Sequence, residues 1–122
     1  MGENILIVDD SASMRQMVNF TLTESGYTVI EATNGQDGLN KLNETDNLKL
    51  VVSDIHMPIM DGINFIKNVR AGAKHKFVPI IILTTESEQN MQNEGKKAGA
   101  SAWIVKPFTP EQLIDTVKKI AK

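Results

Sequence analysis

The sequence contains no cysteine, no long apolar run and no marked excess of charge of either sign. The absence of cysteine excludes disulfide bonds and thiol catalysis. No segment approaches the roughly 20 apolar residues that a membrane-spanning helix needs, and no basic region followed by an apolar one opens the chain. We therefore expect a cytoplasmic protein with no membrane partner.

The charge balance argues against a nucleic-acid partner. There are 13 basic and 15 acidic residues, which gives a formal net charge of −2. Proteins that bind phosphate backbones do so through clustered Lys and Arg, and this composition offers no excess of either.

Length and composition indicate one globular domain. The chain has 122 residues, of which 41% are hydrophobic and 23% charged, close to ordinary globular usage. No repeat, linker or low-complexity tract divides it. We expect a single domain over residues 1–122 and a monomer.

Short apolar segments alternate with segments of helical periodicity. The predicted strands are 5–8, 27–32, 48–53, 79–84 and 102–105. Helices are predicted after each of these strands. The first begins near Ser11 and ends before Gly26, and the fourth spans about 90–98. The others are marked by apolar residues at helical spacing: Leu39 and Leu42; Ile63, Ile66 and Val69; and Leu113, Ile114, Val117 and Ile120. Short connections between alternating strands and helices indicate a parallel sheet covered on both faces, and hence an α/β fold. The mixed polarity of 27–32 suits a sheet edge, Asn34-Gly35 is interpreted as a turn, and residues 90–98 have only a thin apolar stripe.

Polar side chains lie at the ends of four of these strands, either as the last residue of the strand or directly after it. They are Asp9, Asp10, Asp54, Thr84 and Lys106. Because the carboxyl ends of parallel strands meet at one edge of a sheet, we expect these side chains to surround one site. Asp54 ends a nearly continuous apolar run and precedes a Pro/Gly turn, so we infer that it is the reactive residue.

Each of these residues has an ordinary structural explanation when it is considered alone. Asp10 would cap the helix that begins near Ser11, Thr84 is a β-branched residue in a strand, and Lys106 would be a solvated charge. Their occurrence together, at successive strand ends, is what indicates a site.

Three clustered carboxylates favour a bound cation. Two unit charges about 4 Å apart repel by roughly 4 kcal/mol at a typical effective dielectric constant. Oxygen ligands without His or Cys partners favour Mg²⁺ over Zn²⁺. Mg²⁺ beside a nucleophilic carboxylate is typical of phosphoryl transfer, in which Asp54 would form an acyl phosphate. Lys106 would bring a positive charge to the phosphoryl oxygens, and the Thr84 hydroxyl would donate a hydrogen bond to one of them.

These motifs resemble those of the receiver domains of two-component response regulators. The matching segments are Asp9-Asp10, Asp54 with Met57-Pro58-Ile59-Met60-Asp61-Gly62, Thr84, and Lys106-Pro107-Phe108. The resemblance implies a flavodoxin-like, doubly wound, five-stranded parallel sheet of order 2-1-3-4-5 flanked by five helices. It also implies a cis peptide bond before Pro107. Since no effector domain follows, the expected subtype is a stand-alone chemotaxis regulator.

The resemblance further implies roles for individual residues. Asp54 would accept the phosphoryl group from a histidine kinase, and Mg²⁺ would be bound by the Asp10 and Asp54 carboxylates and the His56 backbone carbonyl. Asp9 would assist, through water. His56, two residues after the acceptor, would set the lifetime of the acyl phosphate together with Glu86.

The expected readout involves an aromatic residue on the fifth strand. Phosphorylation would draw Thr84 inward and vacate space for that ring. The family usually has Tyr or Phe at this position, whereas this chain has the bulkier Trp103. The altered face would bind a downstream protein such as a flagellar motor switch protein.

Other functions are compatible with part of the pattern. A phosphorelay intermediate or phosphate sink would share the chemistry without an output surface. A hydrolase that forms an aspartyl phosphate commonly has a second Asp two residues after the nucleophile, where this chain has His56. An FMN-binding protein is disfavoured by Asp9-Asp10, and an interaction module that is never phosphorylated is the least expected. The leading interpretation is a signalling phosphoacceptor, which catalyses only its own phosphorylation and dephosphorylation.

Overall fold

The structure, a computed structural model, describes residues 3–121 and contains five parallel strands and five helices over that range. The strands are β1 (Asn4–Val8), β2 (Thr28–Ala32), β3 (Leu48–Ser53), β4 (Ile80–Thr84) and β5 (Ala102–Val105). The helices are α1 (Ala12–Glu24), α2 (Gly35–Glu44), α3 (Gly62–Ala71), α4 (Gln89–Ala98) and α5 (Pro110–Ile120). The sheet order is β2-β1-β3-β4-β5, which confirms the expected flavodoxin-like α/β fold.

The apolar runs of the central strands reflect burial on both faces of the sheet. In β1, Ile5 and Ile7 pack in one layer with residues of α1 and α5, while Leu6 and Val8 pack in the other with α2 and α3. Since successive strand residues point to opposite faces, a strand covered on both sides is apolar at every position. β2 is only half buried, as expected of an edge strand.

Side-chain caps fix where most of the helices begin. Ser11 caps α1 by accepting from the Met14 N–H at 3.3 Å, and Asp61 caps α3 by accepting from the Asn64 N–H at 2.8 Å. The cap of α1 is therefore Ser11, not Asp10. The Asp10 carboxylate remains available to the group formed by Asp9, Asp10 and Asp54, which we call the strand-end cluster. Thr109 caps α5 in the same way.

The remaining differences from the sequence-based prediction are local. Asn34-Gly35 is not a separate turn, because Asn34 caps α2 and Gly35 is its first residue. β2 and β4 each begin one residue later than predicted, at Thr28 and Ile80.

α4 is the most weakly buried helix of the described chain. Among residues 89–98, all of which the structure describes, Gly95 alone is buried, and no side-chain hydrogen bond caps the helix at Glu88. The thin apolar stripe of residues 90–98 therefore buries little of this helix.

Candidate functional site

The ends of β1 and β3 place three carboxylates side by side. The Asp9 N–H donates to the Ala32 carbonyl at 3.1 Å, and the Asp54 N–H donates to the Val8 carbonyl at 3.0 Å, so both residues continue the sheet hydrogen bonding. One carboxylate oxygen from each of Asp9, Asp10 and Asp54 lies within 4.8 Å of the others. The structure thus brings together the three carboxylates that the sequence singled out.

Lys106 reaches this cluster from the end of β5. Its Nζ lies 3.3 Å from Asp9 Oδ2 and 3.6 Å from Asp54 Oδ2, and its side chain is 12% exposed. The following peptide bond, Lys106–Pro107, is cis, as expected from the resemblance. One ammonium therefore contacts two of the three carboxylates.

Asp9 is the most buried member of the cluster, with 3% of its surface exposed. Burial raises its pKa, and the nearby Asp54 carboxylate acts in the same direction. The Ser11 N–H, which donates to Asp9 Oδ1 at 2.9 Å, and Lys106 partly offset this increase. The pocket therefore holds at least one carboxylate at an energetic cost.

The donor set fits a hard divalent cation. Three carboxylates that range from buried Asp9 to exposed Asp10 each offer one oxygen ligand, and these oxygens lie within 4.8 Å of one another. Mg²⁺ prefers oxygen ligands and keeps several waters when it binds proteins. These residues would hold Mg²⁺ and leave coordination positions open to a substrate oxygen.

The loop after β3 is packed tightly behind Asp54. The Gly62 N–H donates to the Ile55 carbonyl at 2.8 Å, and a Cβ at Gly62 would overlap the Asp54 carbonyl group. Only glycine allows this close approach. At the tip of the loop, Ile59 has φ of 69° and is 82% exposed, and the Met60 N–H donates to the Pro58 carbonyl at 2.7 Å.

Glu86 connects the strand-end residues to Trp103. Its N–H donates to the Thr84 hydroxyl oxygen at 3.2 Å, its carboxylate lies 3.0 Å from His56 Nε2, and its carbonyl accepts from Trp103 Nε1 at 3.0 Å. Thr84 is fully buried. A single residue of the β4–α4 loop is thus in contact with three of the residues that the sequence implicated.

Two residues of the site region were not singled out by the sequence. Gly95 of α4 lies against the Trp103 ring, where a Cβ would come within 2.6 Å of Trp103 Cζ3. Arg15 of α1 donates from Nη1 to the Asp9 carbonyl at 2.6 Å. A signal for Gly95 existed, because a glycine inside a helix costs about 1 kcal/mol and suggests a packing reason. Arg15 had no such signal, since an Arg on a helix is usually solvated.

A five-stranded parallel sheet with three carboxylates and a lysine at its strand ends is the arrangement expected of a receiver domain. Comparison with known families supports this class. The family model described as the response regulator receiver domain matches residues 5–118, and the chain belongs to that family. Receiver domains are signalling phosphoacceptors rather than enzymes of the usual kind.

Several similar proteins of the family are chemotaxis regulators. The chain is 38% identical over 117 residues to the chemotaxis protein CheY1 of Helicobacter pylori, covering 95% of this chain and 94% of that protein. It is 40% identical to the chemotaxis protein CheY of Thermotoga maritima, with both chains fully covered. The solved structure of chemotaxis protein CheY4 of Vibrio cholerae matches with a TM-score of 0.93 and 42% identity, over 98% of this chain and 99% of that one.

Over residues 3–121, no helix is long and apolar enough to cross a bilayer.

Proposed function

We propose that residues 1–122 form one receiver domain that accepts a phosphoryl group on Asp54 from a histidine kinase and signals to a downstream protein in the cytoplasm. The observation that carries the proposal is the strand-end cluster, in which Lys106 contacts both Asp9 and Asp54 and three carboxylates lie within 4.8 Å. Clustered carboxylates repel one another and destabilise the fold when no cation is bound. Their presence therefore indicates that binding or chemistry requires them.

Mg²⁺ would be held by the Asp10 and Asp54 carboxylates and the His56 backbone carbonyl, with Asp9 assisting. When bound, it supplies positive charge for the phosphoryl oxygens. In the transfer step, an Asp54 carboxylate oxygen forms a bond to phosphorus while the bond from phosphorus to the donor's imidazole nitrogen breaks. The imidazole leaves with that electron pair and takes up a proton.

Lys106 and Thr84 would bind the transferred group. The Lys106 ammonium lies 3.6 Å from Asp54 Oδ2. After phosphorylation it would form an ion pair with a phosphoryl oxygen. The Thr84 hydroxyl now accepts from the Glu86 N–H, and a donor bond to a phosphoryl oxygen would move Thr84 and this loop together. Trp103 Nε1 donates to the Glu86 carbonyl. A phosphoryl group on Asp54 that moved Glu86 would therefore alter the contact between Trp103 and α4.

His56 and Glu86 would set the lifetime of the acyl phosphate. Their side chains pair at 3.0 Å, and the His56 side chain, two residues after the acceptor, is 57% exposed, so the pair would control how water reaches Asp54. Exchanging both for Ala should change the dephosphorylation rate. An unaltered rate would remove this part of the proposal.

The similarity to CheY proteins favours a chemotaxis kinase as donor and a flagellar motor switch protein as target. The test of output is binding of the phosphorylated form, but not the unphosphorylated form, to the motor switch protein. Transfer of the phosphoryl group onward to a histidine-containing protein, with no such binding, would instead indicate a phosphorelay intermediate or phosphate sink.

The acceptor role is tested by intact-protein mass spectrometry after incubation with phosphoramidate and Mg²⁺. We expect one added phosphoryl group in the wild type, and none in Asp54→Asn or without the cation. Continuous release of phosphate from small phosphate esters would point to the hydrolase instead.

A further inference from the structure

The peptide group that joins Asp9 to Asp10 lies just beyond the end of β1. The Asp9 carbonyl accepts no strand hydrogen bond in the described structure and accepts instead from Arg15 Nη1 at 2.6 Å. Because this carbonyl belongs to the peptide between the two acidic residues, its direction affects the backbone from which both carboxylates project.

Arg15 is itself held in place. Its Nε donates to Glu31 Oε1 of β2 at 3.1 Å, and Glu31 Oε2 accepts from the Asn19 side-chain amide at 2.7 Å. The Arg15 side chain is only 16% exposed. A guanidinium has a planar fork of donors, so one Arg can bind a carboxylate and a carbonyl at once with fixed geometry.

We propose that Arg15, fixed by Glu31, is a positioning residue for the cation site, because it holds the Asp9–Asp10 peptide in the direction that aims both carboxylates at one ion. The inference rests on the cation site of the proposed function. It assigns to Arg15 no contact with the ion or with the phosphoryl group.

Electrostatic repulsion and positioning predict opposite results when Arg15 is replaced. If Arg15 acted only through its charge, removing a cation near the cluster would strengthen Mg²⁺ binding. If Arg15 orients the peptide, its loss should weaken Mg²⁺ binding, by about 10-fold for a residue that supports metal ligands. Mg²⁺ demands near-octahedral geometry whereas Ca²⁺ tolerates irregular sites, so Ca²⁺ binding should weaken less.

The experiment is calorimetric titration of Mg²⁺ and Ca²⁺ into the wild type, Arg15→Ala and Arg15→Lys. Arg15→Lys keeps the charge and guards against misfolding of the Ala variant. The matched control is Arg70→Lys, because Arg70 also donates to backbone carbonyls, those of Val78 at 2.6 Å and Gly99 at 2.7 Å, between α3 and the neighbouring turns. Thermal unfolding in EDTA measures the stability of every variant.

Weaker Mg²⁺ binding in both Arg15 variants, with a smaller loss for Ca²⁺ and no loss in Arg70→Lys, would support the inference. Unchanged or tighter Mg²⁺ binding in the Arg15 variants would overturn it and leave the proposed function intact. The inference would also be overturned if the Arg15 variants lost Mg²⁺ and Ca²⁺ affinity equally and Arg70→Lys, at the same loss of thermal stability, lost as much. Arg15 would then have only a general structural role. A wild type that binds no Mg²⁺ would overturn both the proposed cation site and this inference.

Discussion

The strand-end cluster and the apolar core beneath it are built by opposite rules. In the core, residues such as Leu113 and Val117 of α5 are fully buried against the sheet. In the cluster, Asp9, Asp10 and Asp54 crowd like charges together, and burial raises the pKa of Asp9. The core stabilises the fold by itself, whereas the cluster becomes favourable only when a cation is added. Substitutions in the two regions should therefore change stability in opposite directions.

The largest effect is expected in the core. Leu113→Ala removes a fully buried side chain and leaves a cavity, so the free energy of unfolding should fall by about 2–5 kcal/mol. Urea unfolding followed by circular dichroism measures this change. A loss below about 1 kcal/mol would mean that α5 is not anchored as described.

A smaller loss is expected where α4 meets Trp103. Gly95→Ala gains helix propensity, but its Cβ would come within 2.6 Å of the Trp103 ring, and overpacking typically costs about 1–3 kcal/mol. The same unfolding measurement should show a net loss. Combining Gly95→Ala with Trp103→Phe should recover stability relative to Gly95→Ala alone, and no recovery would contradict the contact.

In the strand-end cluster, a substitution should raise stability rather than lower it. Asp10→Asn relieves repulsion while keeping the shape of the side chain, so without Mg²⁺ the Tm should rise by roughly 2–5 °C. The same variant should be phosphorylated poorly. Calorimetry in EDTA tests the first point, and an unchanged or lower Tm would count against the repulsion argument.

The smallest effect concerns Asp9 and pH. Because its pKa is raised in the folded protein, its protonated form stabilises the fold, and this stabilisation is lost as the pH rises through the folded pKa. The neutral Asp9→Asn variant should therefore have the higher Tm at pH 7.5 in EDTA. That advantage should shrink as the pH is lowered through the folded pKa, and an advantage that grows on acidification would contradict the assigned direction.

Much of this contrast could be predicted from the sequence because it lies in local patterns. Apolar runs that end in Asp9 or Asp54 indicate buried strands with polar ends, and parallel strands bring those ends together. The sheet order followed from the family resemblance, not from the runs themselves, and the structure confirms it.

The contacts of Gly95 and Arg15 could not be predicted in the same way. Each depends on a partner distant in the chain or on another element: Trp103 for Gly95, and Glu31 for Arg15. Ile59 is a further case, since nothing in its local sequence indicates that a β-branched residue would have a positive φ.

The most direct test of the account uses Trp103, the single tryptophan of the chain. Its fluorescence is followed while Mg²⁺ and then beryllofluoride, a phosphoryl mimic, are added to the wild type and to Asp54→Asn. The account predicts a saturable response to Mg²⁺, then a second change on adding beryllofluoride that Asp54→Asn lacks, because Glu86 joins Thr84 to Trp103. Fluorescence that stays constant with beryllofluoride, and also after incubation with phosphoramidate and Mg²⁺ in a wild type that mass spectrometry shows to carry one added phosphoryl group, would contradict the coupling.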